Sequence, residues 1–189
     1  MTLPTAFLDI PLAHRALHDL SARRPENSRA AVRAAVDAGV GIEIDVQLSA
    51  DNKAMVFHDY ALERLTPERG AVRLREASAL AAIPLKGGDE GIPTLEEILD
   101  LIAGRVPLLV EFKDQDGAMG PDVGPLETAA AELLGRYRGD LAVMSFNPHS
   151  VRAFAHLLPD VPRGLTTSAY RPDEWPLPAA TCDRLRGIP

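Results

Sequence analysis

Glu43 and Asp45 stand two residues apart inside the apolar run Ile42, Ile44, Val46. In a strand, positions two apart share a face. The two carboxylates therefore point one way and the aliphatic side chains the other. Glu111 and Lys113 repeat the device in LLVEFKD, on one face with Leu109. His14 closes the stretch DIPLAH, and His58 closes AMVFH. Burying a carboxylate without a partner costs several kcal/mol or drives it to its neutral form, so these charges must face one another or a ligand. Three converging carboxylates without cysteine suit a hard divalent cation, Mg²⁺ or Ca²⁺. Two histidines near neutral pH can act as general acid and general base. Arg15 and Lys113 bring positive charge of the kind that holds a phosphate. Cation, acid–base pair and basic residues together describe cleavage at phosphorus. A plainer reading of Glu111 and Lys113, as salt-bridge partners of the first acidic pair, stays open.

The elements that would carry these residues follow from periodicity. Ala6–Ala13, Gly41–Val46, Ala54–His58, Val106–Lys113, Leu141–Phe146 and Arg163–Thr166 are short apolar runs and are expected to be strands. Helices lie between most of them. Ser28 caps one that Gly39 stops. Thr94 and Glu97 form a capping box ahead of Leu95, Ile98, Leu99 and Ile102, with Gly104 at the end. Leu126–Arg138 is rich in Ala and Leu and is followed by Gly139. Asn147 and Pro148 open the last, through Val151, Phe154 and Leu158. Alternating strands and helices predict a parallel sheet, whose strand ends bind ligands. Residues 60–93 break the rhythm and are expected to be an insertion within a single domain of residues 1–189. His18, His149 and His156 are expected to be exposed or satisfied, Asp59 to support a strand end, and Met55, Trp175 and Cys182 to pack.

Composition narrows the class. The 189 residues carry 20 Lys plus Arg against 27 Asp plus Glu, a net charge of −7. A moderately acidic chain lacks the basic surface that general nucleic-acid binding needs. One cysteine, Cys182, permits no intrachain disulfide and fits a reducing compartment. No apolar run nears the ~20 residues of a membrane span, and MTLPTAFLDIPLAH does not have the pattern of a signal peptide. A cytoplasmic protein is the expectation.

His14-Arg15, Pro25-Glu26-Asn27, Glu43-Ile44-Asp45, His58-Asp59 and Glu111-Phe112-Lys113 occur in that order, followed by SFNP at 145–148. This ordered set resembles the glycerophosphodiester phosphodiesterase family; IPTLEEIL at 92–99 also fits. The resemblance implies a TIM-type (β/α) barrel and cleavage of glycerophosphodiesters to glycerol 3-phosphate and an alcohol with a divalent metal. It implies Glu43, Asp45 and Glu111 as metal ligands, His14 and His58 as the acid–base pair, and Arg15 and Lys113 on the phosphate. Glu26 would position Arg15 or meet the glycerol hydroxyls. Two departures stand out. Ala16 follows His14-Arg15 where the family usually has Gly, which matters if that position needs positive φ. Only six strands are expected, against eight in a full barrel of typically about 250 residues. A C-terminally shortened barrel is therefore expected, with a gap between its first and last strands. Second chains, lattice neighbours or the Pro-rich tail would fill the gap, and the open edges would favour a homo-oligomer. Two other functions remain: a barrel that binds metal and a phosphorylated ligand without turnover, or a phospholipase D-like lipid enzyme. The latter needs an apolar lip, and the aromatic content is only 5%.

Overall fold

The computed structural model describes residues 2–171 and 179–186; Trp175 lies outside them. The elements in chain order are α1 (Ala6–Asp9), β1 (Leu12–Ala13), α2 (Arg29–Ala38), β2 (Gly41–Leu48), β3 (Ala54–Val56) and α3 (Ala77–Ala81). There follow α4 (Leu95–Ile102), β4 (Leu108–Phe112), α5 (Pro125–Leu134), β5 (Leu141–Ser145), α6 (Pro148–Leu157), β6 (Arg163–Leu165) and α7 (Ala179–Arg186). The sheet runs β1-β2-β4-β5-β6, all parallel, and β3 pairs with β2 in the opposite direction.

Local chemistry explains the helices. The Ser28 hydroxyl accepts from the Ala31 amide at 3.1 Å, and Gly39 ends α2 with φ +67°. Thr94 and Glu97 make the reciprocal capping box that opens α4. Asn147 caps α6 through the His149 amide, with Pro148 in its first turn. Helix α5 ends at Leu134, short of the expected Arg138, because Gly135 takes the cap and residues 136–137 close by turn bonds.

Two expected strands come out differently. Ala6–Ala13 holds one helical turn and a two-residue strand. Pro11 has no N–H, so it joins the ladder only as an acceptor, from Gly41. Ala54–His58 is an antiparallel strand of three residues, with Val46 opposite Val56. Five residues separate it from β2, and a parallel return would need a crossover of a dozen or more. His58 therefore reaches the site from a hairpin arm.

The main core lies outside the sheet. Ile42, Ile44 and Val46 are each fully buried there, with Val32 and Ala35 of α2, Ile98 of α4 and Leu126 of α5. Each such side chain contributes about 1.5–3 kcal/mol. A one-residue slip of β2 would exchange them for Glu43 and Asp45, so the register is strongly specified. The Phe112 and Phe154 rings pack at 4.3 Å between centroids. Residues 60–93 pack on Met55 and Phe57 in a second core that includes Leu62, Val72, Leu80 and Ile92.

In the sheet, β1 and β6 occupy opposite ends and are not paired with each other, the gap expected above. A cavity of about 740 Å³ opens on the inner face of β5 and β6, against Leu109, Ala142, Met144 and Thr166. The described part of the tail, α7, packs elsewhere: Cys182 is buried with Met119 and Tyr170. No described helix is long and apolar enough to cross a membrane.

Gly104 is a sensitive joint of the frame. It has φ +73°, and a Cβ there would lie 2.0 Å from the Arg138 carbonyl oxygen. The left-handed backbone alone costs an alanine about 1–2 kcal/mol, and the clash adds to it. Gly104→Ala is expected to lose at least about 2 kcal/mol, a fall of roughly 4 °C or more in Tm. An unchanged thermal melt would show that α4 and the 138–139 turn do not meet this way.

Candidate active site

After β1 the chain turns sharply. Arg15 and Ala16 have φ +57° and +62°, so alanine occupies a left-handed position here. Each such residue costs about 1–2 kcal/mol. The turn aims two amides at one residue. Arg15 N–H donates to the Glu43 carboxylate at 2.8 Å, and Ala16 N–H donates to the Glu43 carbonyl at 2.9 Å.

Glu43, Asp45 and Glu111 come from the inner faces of β2 and β4, where Asp45 stands directly opposite Glu111. They are 4%, 1% and 6% exposed. One carboxylate oxygen from each lies within 4.8 Å of the others. Asp45 accepts from the Asn27 side-chain amide at 2.9 Å and meets Lys113 Nζ at 2.7 Å. Lys113 also pairs with Glu111. Glu43 Oε1 is buried without a hydrogen-bond partner. Burial first, then the charges of Asp45 and Glu111, push the Glu43 carboxyl up to about 8; the Arg15 amide and Lys113 oppose this. A partnerless buried oxygen beside two more carboxylates is the donor set a divalent cation fits.

The other predicted residues gather round this cluster. Arg15 Nε lies 3.7 Å from Asp45, and its Nη1 donates to Glu26 at 3.0 Å. His14 Nε2 is 4.0 Å from Glu43, on a side chain 70% exposed. Partial burial, Arg15 and His58 hold the His14 ring below its usual pKa, against the pull of Asp45 and Glu111. His58 Nδ1 is 2.7 Å from the Asp59 carboxylate. The Gln47 side-chain amide donates to the His58 carbonyl at 3.1 Å, fixing the hairpin arm to the inner face of β2. A cavity of about 390 Å³ is lined by His58, Glu111 and Lys113 together with Tyr60, Met119 and Phe146. His18 and His156 are exposed and His149 is half-buried.

The sequence profile of the Glycerophosphoryl diester phosphodiesterase family matches residues 14–187. The chain belongs to that family. It is 34% identical to the Bacillus subtilis protein YhdW over 165 residues, 82% of this chain and 65% of that one. It is 32% identical to a Caldanaerobacter subterraneus glycerophosphodiester phosphodiesterase, over 80% of this chain and 65% of the relative. The chain thus spans about 65% of the length of these two relatives. An Oleispira antarctica phosphodiesterase, solved with the product sn-glycerol-3-phosphate, superposes with a TM-score of 0.75 at 28% identity. That match covers 95% of this chain and 72% of the other. The five parallel strands are thus an arc of the family's TIM-type barrel.

Three residues of this family member escaped the sequence reading in their structural roles. Asn27, 1% exposed and at φ +58°, holds Asp45 through its side chain. Gln47 holds the His58 backbone. Arg64 bonds both Asp59 and Glu26. A polar residue in the alternation after Asp45 was a signal for Gln47; Arg64 had no local signal.

The Glu43 environment sets a pH dependence. Its folded pKa of about 8 lies above the ordinary 4.5. The metal-free fold therefore binds the extra proton between those values, and loses stability as pH rises through them. A cation must displace that proton. Affinity for Mg²⁺ or Ca²⁺ is expected to rise between pH 6 and about 8, with release of close to one proton per ion below pH 7. Calorimetry in buffers of different ionisation enthalpy reads this directly. Proton-free binding at pH 6.5 would contradict a protonated Glu43.

Proposed function

We propose that this chain carries a glycerophosphodiester phosphodiesterase site that yields glycerol 3-phosphate and an alcohol. The observation that carries the reading is the convergence of three buried carboxylates with Arg15, Lys113, His14 and His58, on a chain that belongs to the family. Glu43, Asp45 and Glu111 would hold a divalent cation, Mg²⁺ or Ca²⁺. When bound, it would neutralise charge on the phosphoryl oxygens.

The chain's own groups do the rest. Arg15 and Lys113 are the donors for the phosphate, Arg15 as a planar fork and Lys113 as a point charge. Lys113 now neutralises Asp45 and Glu111; a bound cation would take over that task and free its ammonium for phosphate. His14 takes the proton from a glycerol hydroxyl, whose oxygen then attacks phosphorus to give a cyclic phosphate. His58 gives a proton to the departing alcohol oxygen, its Nδ1 side supported by Asp59. Water opens the cyclic phosphate with the two roles exchanged. Tyr60, Met119 and Phe146, which line the same cavity as His58, would face the alcohol.

A second reading has its own observation. The sheet is open between β1 and β6, with the 740 Å³ cavity on its inner face. In that reading the site binds cation and phosphorylated ligand but does not turn over. Hydrolysis of glycerophosphocholine separates the two. Turnover is expected, abolished by chelator and reduced at least about 100-fold in His14→Ala and in His58→Ala. Binding of sn-glycerol 3-phosphate without any rate on glycerophosphodiesters would establish the second reading.

The roles of the charges divide by sign. Glu43→Ala and Glu111→Ala are expected to lose cation affinity. Lys113→Ala should keep it or gain, since a competing ammonium is removed, while binding sn-glycerol 3-phosphate more weakly. Calorimetric titration of the three variants checks this, and equal cation loss in Lys113→Ala would reduce the lysine to a prop.

A further inference from the structure

Arg64 lies in the turn after His58 and Asp59, outside every residue assigned above to cation, phosphate or proton transfer. Its guanidinium forks twice. Nε and Nη2 donate to the two oxygens of Asp59 at 2.6 and 2.8 Å. Nη1 and Nη2 donate to the two oxygens of Glu26 at 2.9 and 2.8 Å. Asp59 holds His58 Nδ1, and Glu26 holds Arg15 Nη1. One side chain thus joins the histidine on the hairpin arm to the arginine on the β1 turn, 43 residues before that histidine in the chain.

The base of this clamp is fixed. The Arg64 carbonyl accepts from Lys86 Nζ at 3.2 Å, and the neighbouring Leu62 is fully buried in the second core. Thr66, 1% exposed, bonds the Leu62 carbonyl at 2.9 Å. An isolated exposed ion pair would contribute little. Two bidentate forks on one guanidinium are a different case, because geometry is set as well as charge.

The clamp also settles a proton. Burial is the largest single influence and would raise the Asp59 and Glu26 carboxyls, yet Arg64, together with His58 at Asp59 and Arg15 at Glu26, holds both below the usual carboxylate range. An ionised carboxylate only accepts. The proton between His58 and Asp59 therefore sits on Nδ1, and Nε2 is left as the nitrogen that exchanges protons in the cavity.

We infer that Arg64 is a positioning residue that sets both halves of the site at once, orienting the His58 ring through Asp59 and the Arg15 guanidinium through Glu26. This rests on the phosphodiesterase reading for the roles of His58 and Arg15, and it goes beyond that reading in giving residues 60–93 a part in the chemistry. The plain competitor is a surface ion-pair network that only stabilises the insertion.

The test uses the full chain with MgCl₂ and three readouts: kcat on glycerophosphocholine, calorimetric affinity for sn-glycerol 3-phosphate, and the nitrogen-15 spectrum of the His58 ring. Arg64→Gln is expected to lower kcat about 10–100-fold, the usual scale for losing an outer partner of a site, and to weaken sn-glycerol 3-phosphate binding several-fold. Its effect on affinity should vanish in a Glu26→Gln background, and its effect on kcat should vanish in an Asp59→Asn background. Arg64→Lys keeps the charge without the fork, so it should restore at most one of the two. In the ring spectrum, wild type should show His58 protonated at Nδ1, and Arg64→Gln should shift that signal or reveal the Nε2–H form. Independent effects in both double variants would overturn the inference. So would a variant whose melting temperature falls while kcat, affinity and ring signals stay at wild type. A wild-type protein with neither turnover nor product binding would instead sink the phosphodiesterase reading; the ring spectrum alone would then decide whether Arg64 sets His58.

Discussion

Three like charges share one buried spot, and most of the inner face answers to that constraint. Glu43, Asp45 and Glu111 repel one another where water is nearly excluded. Each buried ion loses several kcal/mol of solvation unless partners replace it. The partners come from every neighbouring element: the Arg15 amide from the β1 turn, the Asn27 side chain from the segment before α2, and Lys113 from the end of β4. They do not suffice. Glu43 keeps one oxygen without a partner and is held toward its protonated form. A site that stays unbalanced in this way is poised for a cation, whose charge would complete what the protein leaves open.

The same need explains the backbone beside it. Arg15, Ala16 and Asn27 are all left-handed, a conformation that is costly for residues other than glycine. Strain of this kind persists only where the surroundings over-determine it. Here the Asn27 amide donates to the Arg15 carbonyl, and the Ala16 amide donates to the Glu43 carbonyl. Ala16 is also 2% exposed in the main core, so its methyl gains burial that a glycine would forgo. Burying that methyl is worth about 0.8 kcal/mol, which offsets much of the left-handed cost. The alanine where relatives are expected to have glycine thus keeps a net cost of about 0.2–1.2 kcal/mol, and the turn keeps its shape.

Sequence alone revealed what period and local chemistry encode. Glu43 and Asp45 could be read as sharing a face because side chains alternate strictly along a strand, and the capping residues Ser28, Thr94 and Asn147 act within three residues of themselves. The direction of β3 was not legible, since alternation is the same for parallel and antiparallel strands; the five-residue link after β2 carried the information instead. The first strand was overestimated because Phe7, Leu8 and Ile10 are apolar in a helical turn as well as in a strand. Arg64 was invisible for a different reason. Its partner Glu26 lies 38 residues away, and no pattern in a charged turn announces an ion pair at that range.

Two cores of different size support the site. The outer core clamps β2 and β4 against α2, α4 and α5, so the three carboxylates sit on strands backed by the larger core. His58 instead follows β3, whose inner neighbour Met55 belongs to the smaller core under residues 60–93. The carboxylate cluster thus rides on the larger core, while the strand that leads to His58 is shared, with Ala54 and Val56 in the larger core and Met55 in the smaller. Backbone and side-chain bonds at the seam, from Phe57 to the Asp45 carbonyl and from Gln47 to the His58 carbonyl, fix the arm at its root. The ring itself lies beyond those bonds and depends on Asp59. Precision in the carboxylate cluster follows from the fold of the sheet. Precision in the histidine has to be supplied by a side-chain network, because no ladder of hydrogen bonds extends that far.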